Sequence, residues 1–421
     1  MKIRIIKLMA IGLITVLMAV TAVAQQDVEV AEVSSGNFFG IGARGLGMGG
    51  AQVAAGLDGT AIVYNPAVLA RIRRIEVLAG MSHQKLSNDE NRSASSSDIN
   101  TALDGRSKSF TRLNALNVTV PVPTYRGSAV VAFGINRVSS FDHVFQYART
   151  LPDGGEVGTE IETGGLYQYS AAGAIDISPK ISVGASLNLY HGKDDYTWTY
   201  SHSGSQQEDY TQYVNADYTG VSAKLGLIAS VNRNISIGAV VETPVQYEID
   251  GEFSEELWAY PNAYEYELEH PFVFGGGMSA RYGRLQAALD LHYTDWTQME
   301  YKEYDLYTLE NGLIDRYYRE VVRINAGVEY LIPRFGAKVR AGYIYDPLPY
   351  ADFLVENDRD FVTLGVGFLI DRVMTLDIAF VTGSYEYAKP APDANGAFDI
   401  SSALYEKYSI DRLYVTTAFR L

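Results

Sequence analysis

The chain has 421 residues, 47% of them apolar, with 50 acidic against 34 basic side chains, a net charge of −16 and no cysteine. Such an apolar fraction excludes a disordered chain, and the acidic balance excludes a nucleic-acid binder, which needs a basic stripe against phosphate. The lack of cysteine excludes disulfides, thiolate metal sites, a cysteine nucleophile and an acylated lipoprotein N-terminus. In chain order, Lys2, Arg4 and Lys7 form a basic start, Leu8 to Val20 is apolar, and Ala22-Val23-Ala24 offers a small-residue cleavage site before Gln25. That pattern predicts a secretory signal peptide over 1–24, with an apolar run too short to span a bilayer comfortably. No later stretch reaches eighteen unbroken apolar residues, which excludes a helical inner-membrane protein. An exported chain follows, either soluble or an outer-membrane barrel.

Residues 25–70 are glycine-dense, running Phe38-Phe39-Gly40-Ile41-Gly42-Ala43-Arg44-Gly45-Leu46-Gly47-Met48-Gly49-Gly50 and then, after Asp58, Tyr64-Asn65-Pro66-Ala67. Gly40-x-Gly42-x-x-Gly45 matches the dinucleotide fingerprint only literally, since no strand precedes it and no βαβ unit surrounds it. Glycine also permits positive φ and close backbone packing, as a compact plug in a narrow lumen requires.

From Arg73 the apolar period is two. Ile181, Val183, Ala185, Leu187 and Leu189 alternate with Ser182, Gly184, Ser186, Asn188 and Tyr190. Val221, Ala223, Leu225 and Leu227 alternate with Ser222, Lys224 and Gly226, and similar runs cover Val322 to Tyr330 and Ala337 to Tyr345. Fourteen strands are expected, starting near Arg73, Ser109, Gly127, Thr163, Lys180, Tyr213, Ile235, Pro271, Leu285, Arg319, Gly336, Asp360, Val373 and Tyr408. Connections after even strands are tight: Pro121 to Arg126, Ser178-Pro179, Asn232 to Asn234, Tyr282 to Arg284, Pro333 to Phe335 and Asp371-Arg372. Those after odd strands are long and polar, including Asp250 to His270 with seven acids and no base. Short turns on one side, long loops on the other and an even strand number define an all-β, fourteen-stranded antiparallel transmembrane barrel over 71–421, with outer-membrane lipids around it. Tyr190, Tyr196, Tyr247, Tyr293, Tyr301, Tyr343, Tyr345, Tyr385 and Tyr387 gather near strand ends on the long-loop side, which reads as an aromatic girdle. In the last strand Leu413, Val415, Thr417, Phe419 and Leu421 should face out and Tyr414, Thr416, Ala418 and Arg420 in.

The segment from Gly42 to Ala51 with Tyr64-Asn65-Pro66-Ala67 just before the first strand resembles the N-terminal hatch of FadL/TodX-type outer-membrane transporters and their PorV-like relatives. Gly45, Gly47, Gly49, Gly50, Asn65, Pro66 and Ala67 carry the resemblance. It implies a fourteen-stranded monomeric barrel in the bacterial outer membrane, plugged by residues 25–70. It also implies passive uptake of hydrophobic compounds such as long-chain fatty acids, leaving through a gap at a kinked third strand. In that strand, Gly127 to Phe141, Gly134 is the interior glycine at which a kink is expected. The alternative it implies is a PorV-like partner of exported proteins in a secretion complex. A polar porin is disfavoured by a lumen that must hold a plug.

Inward-facing Lys224, Arg323, Lys338 and Arg340 are candidate contacts for a carboxylate head group, with Glu242, Asp290, Glu329 and Asp377 as rival ion-pair partners inside the chain. The six histidines show no metal spacing and no G-x-S-x-G occurs, so no catalytic residue, metal ligand or cofactor is assigned. Asp194-Asp195 and Asp358-x-Asp360 read as solvated acidic loops, not calcium loops.

Overall fold

The computed structural model describes residues 40–93, 106–151, 154–204, 208–256, 262–302, 308–370, 373–392 and 398–421. The expected signal peptide over 1–24 and hatch residues 25–39 lie outside these. The strand segments are β1 (Glu76–Ser93), β2 (Ser107–Val122), β3 (Ala129–Ser140), β4 (His143–Leu151), β5 (Gly154–Ser178) and β6 (Ile181–Ser203). They continue as β7 (Tyr210–Ser230), β8 (Ile235–Glu242), β9 (Val245–Glu255), β10 (Asn262–His270), β11 (Val273–Tyr282) and β12 (Leu285–Asp295). The rest are β13 (Glu300–Tyr301), β14 (Glu320–Ile332), β15 (Ala337–Asp346), β16 (Val355–Ile370), β17 (Met374–Pro392) and β18 (Phe398–Arg420).

These make fourteen wall strands, all antiparallel to their neighbours. β3 and β4 are two parts of wall strand three, β8 and β9 of strand seven, and β10 and β11 of strand eight, while β13 only extends the edge of β10. Strands seven and eight are interrupted at Thr243-Pro244 and Pro271-Phe272, where proline has no N–H for the ladder. The barrel closes by β1 on β18, from Glu76 opposite Arg420 to Ser93 opposite Leu404, so the first and last strands pair with each other.

The period-two reading holds in detail. Leu225 is 57% exposed on the outer face while its neighbours Ser222 and Lys224 are buried inside. Leu413, Val415, Phe419 and Leu421 point outward, and Tyr414, Thr416 and Ala418 are buried. Two expected loops are corrected. Residues 250–255 and 262–270 lie in the arms of a hairpin, β9 with β10, in register from Val245 opposite His270 to Phe253 opposite Asn262. Likewise residues 143–151 and 154–162, between the expected third and fourth strands, are not loop: β4 pairs with β5 from His143 opposite Glu162 to Leu151 opposite Gly154. Both hairpins extend the wall beyond the apolar band, so their polar composition concealed their strand character. The girdle is corrected too. Tyr293 and Tyr343 are exposed, but Tyr190, Tyr196, Tyr247, Tyr301 and Tyr387 occupy inward positions of the alternation and are buried in the lumen.

Inside the barrel lie the described residues of the hatch. Two short helices, α1 (Ala43–Gly47) and α2 (Ala61–Tyr64), precede a 3₁₀ turn at Pro66–Arg71. A third helix, α3 (Thr308–Tyr317), sits on the long-loop side between β13 and β14.

Candidate functional site

The hatch is fixed to the wall by backbone-to-backbone approach. Gly49 has φ +63°, a left-handed conformation that favours glycine, and a Cβ there would meet the Ala326 carbonyl and the Tyr343 backbone. The wall answers in kind: a Cβ on Gly184 would come within 2.5 Å of Pro66, and one on Gly226 would strike Asn65. With side chains removed from both surfaces, polar groups meet directly. Asn65 Nδ2 donates to the Val53 carbonyl at 2.8 Å and to the wall carbonyl of Leu227 at 3.1 Å, and its Oδ1 accepts from Ala67 N. Pro66 follows at the start of the 3₁₀ turn, where its missing N–H leaves no hydrogen bond unmade. Further ties run right around the lumen: Ala43 N to Thr416, Gly49 N to Thr363, Val53 N to Asp290 and Gly59 N to Glu76.

On the long-loop side of the hatch is a cavity of about 240 Å³. Its floor includes Ile41, Val63 and Tyr64, and its walls include Leu166, Tyr190, Val245, Tyr247, His270 and Trp296. Tyr64 Oη accepts from Ile41 N and donates to Ile41 O, both at 2.9 Å, which closes the floor. The aromatic wall is built edge to face: Tyr190 on Tyr247 at 5.7 Å, Tyr247 on His270 at 4.9 Å and His270 on Trp296 at 5.3 Å between ring centres.

The four basic candidates divide. Lys224 and Arg323 line this cavity. Lys224 Nζ pairs with Glu242 at 3.0 Å and donates to the hatch carbonyl of Val63 at 2.6 Å, so it ties plug to wall. Arg323 lies opposite His292 across the β12–β14 ladder, and His292 also lines the cavity. Lys338 and Arg340 do not line it. Both hold Glu329 at 2.8 Å, and Arg340 also holds Asp377 at 2.6 Å, with Arg44 of α1 3.7 Å from Glu329. Asp290 accepts from the hatch through Val53 N at 2.8 Å. Lys338 and Arg340 are thus ion-paired within the chain, in the same acidic recess of the wall that receives Arg44 of the hatch.

Wall strand three breaks beside the cavity. Gly134 is in regular register with Asn117 and Ser170; the ladder to β5 shifts between Arg137 and Ser139, and the strand parts at Phe141-Asp142. The β2–β3 ladder ends at Ala115 opposite Asn136. Among the described residues, no ladder joins the rest of β2 to β4, and the opening is bridged by side chains: Arg106 to Gln146 at 2.9 Å and Arg112 to Asp142 at 3.6 Å. Arg137, which is buried, braces the break by donating to Asp142 at 3.0 Å and Ser140 at 3.2 Å. Val138 and Ser139 line the 240 Å³ cavity, and Ser140, Asp142 and His143 line a smaller one of about 60 Å³.

One cluster was not legible from spacing. His143, Glu160 and Glu162 are all buried and bring ligand atoms within 4.8 Å of one another. The signal available was the alternation Glu160-x-Glu162 together with the hairpin that sets His143 opposite Glu162. Asp194, expected in a solvated loop, is 1% exposed and faces the same interior.

A closed fourteen-stranded barrel, apolar outside, plugged from its own N-terminal side and breached at one wall strand, defines an outer-membrane transport protein. The family model for outer-membrane transport proteins of the OMPP1/FadL/TodX type matches residues 18–395, and the chain belongs to that family. A FadL homologue of Pseudomonas aeruginosa superposes with a TM-score of 0.64 at 12% identity, covering 90% of this chain and 98% of that one. The Pseudomonas putida toluene transporter TodX gives 0.60 at 13% identity, covering 91% and 99%. The Ralstonia pickettii toluene transporter TbuX gives 0.58 at 13% identity, with the same coverage. Comparison with curated protein sequences finds no match.

Proposed function

We propose that this barrel passively admits small hydrophobic compounds from the long-loop side, lodges them on the hatch, and releases them sideways at the break in wall strand three. The observation that carries this reading is that the aromatic-walled cavity is lined by Val138 and Ser139, the wall residues at the break itself. Its volume of about 240 Å³ lies below the roughly 300–1,000 Å³ usual for drug-sized ligands, which favours monoaromatic or short-chain cargo. A fatty acid's carboxylate would compete with Glu242 for Lys224, so neutral cargo meets less resistance. Two of the similar structures are toluene transporters by name, in keeping with that size.

The test exploits the absence of native cysteine. Ser139→Cys, modified by a bulky thiosulfonate through a reducible disulfide, should lower radiolabelled toluene uptake by intact cells several-fold, and reduction should restore it. Uptake unchanged by the adduct would overturn the lateral route. Normal uptake in cells lacking the protein, with loss of an exported protein from their surface, would favour the PorV-like alternative.

A further inference from the structure

Beyond the break, β4 is hydrogen-bonded to β5, and this hairpin carries the cluster that the transport reading leaves unused. His143 Nδ1 lies 3.2 Å from Glu160 Oε1, with Glu162 opposite on the ladder. On the far side of the ring, Nε2 is 2.6 Å from Tyr408 Oη, and Tyr408 donates to Glu406 at 2.6 Å. The imidazole is thus held from behind with Nδ1 turned toward two buried carboxylates. Beside them stands Asp194, fully enclosed, whose carboxylate faces that of Glu162.

We propose that His143, Glu160 and Glu162 bind one divalent transition-metal ion of the zinc class, with Asp194 as a buried neighbouring charge. Three buried carboxylates this close repel one another and each loses its hydration, so a cation is the direct means of keeping them ionised. Ligand atoms about 2.1 Å from a tetrahedral zinc stand about 3.4 Å apart, close to the separation of His143 and Glu160. A hydrogen bond from the ligating histidine's second nitrogen is the usual outer arrangement of such sites, and the Tyr408–Glu406 pair supplies it. Mixed imidazole and carboxylate donors select zinc-like ions over calcium or magnesium, which prefer oxygen alone. The bound ion would clip β4 to β5 and, through Tyr408, to β18, holding in place the half of strand three that β2 does not pair. The site stands on its own geometry and does not depend on what the barrel carries.

The rival arrangement is a proton shared between Glu162 and Asp194. Tag-free full-length protein in detergent, stripped with chelator and then titrated with zinc chloride by calorimetry, should bind one ion per chain and melt at a higher temperature. His143→Gln and Glu162→Gln should each weaken binding at least tenfold, and Tyr408→Phe, which leaves every ligand in place, should weaken it less. Heat-dependent gel mobility confirms that each variant is a folded barrel, and any one folded variant suffices. Absence of stoichiometric zinc, or equal affinity in the folded variants, overturns the site. So does an unsubstituted protein whose melting temperature does not respond to zinc while Asp194→Asn raises it, because that is the signature of the shared proton.

Discussion

Leu225 and Lys224 are adjacent in sequence and meet opposite surroundings, lipid on one side and a sealed lumen on the other. Leu225→Arg should destabilise the barrel by about 2–4 kcal/mol, the cost of a cation near the middle of a lipid-facing wall. Denaturant unfolding in lipid vesicles measures it, and an unperturbed midpoint would mean that the assigned face is wrong. At Asn65, truncation to alanine strands the Val53 and Leu227 carbonyls and the Ala67 N–H together. The loss should be about 3 kcal/mol of hatch attachment, read as increased single-channel conductance with the barrel still folded. Inward direction at all four bases was legible from alternation, because a strand has only two faces. Which of them meet the cavity was not, since Lys338 and Arg340 are claimed by Glu329 and Asp377 once the hatch delivers Arg44.

The wall strands were legible because one buried and one lipid-facing side impose period two over many residues, and the tight turns carry Pro, Asn and Gly at fixed places. The two long hairpins were not. Glu156, Glu160 and Glu162 on β5 and the acids of β9 and β10 lie past the apolar band, so hydropathy carried no alternation there. A kink in strand three is expected at Gly134, one of many wall glycines, whereas the break at Phe141-Asp142 lies beside a buried ion pair, Arg137 on Asp142, that no spacing rule points to. Asp142→Asn leaves that guanidinium buried beside a neutral amide, a loss of about 3–5 kcal/mol for a pair of this kind. The expected result is faster amide hydrogen exchange along β4, while exchange in β17 and β18 stays slow. Equal protection in both places would show that the pair does not hold the break.

At the scale of the whole molecule, plug and wall are separable by construction. The wall closes on itself through the β1–β18 ladder, and among the described residues every hatch-to-wall tie is a side chain or a close backbone approach, not a strand pairing. Wall glycines 184, 226, 327 and 342 leave room only for the hatch, so without it they would line an open, hydrated passage. The charges it covers, Glu329, Arg340, Asp377 and Glu76, would then regain water and need no partner from the plug. Deletion of residues 27–65 should therefore give a barrel that still shows heat-dependent gel mobility and full strand content by circular dichroism. Its conductance in planar bilayers should rise well above that of the intact chain. Toluene uptake should lose saturation, because the cavity has lost its floor at Ile41 and Tyr64. A deletion variant that cannot fold would mean that the hatch nucleates the wall, and one that conducts no better than the intact protein would mean that the passage is sealed elsewhere.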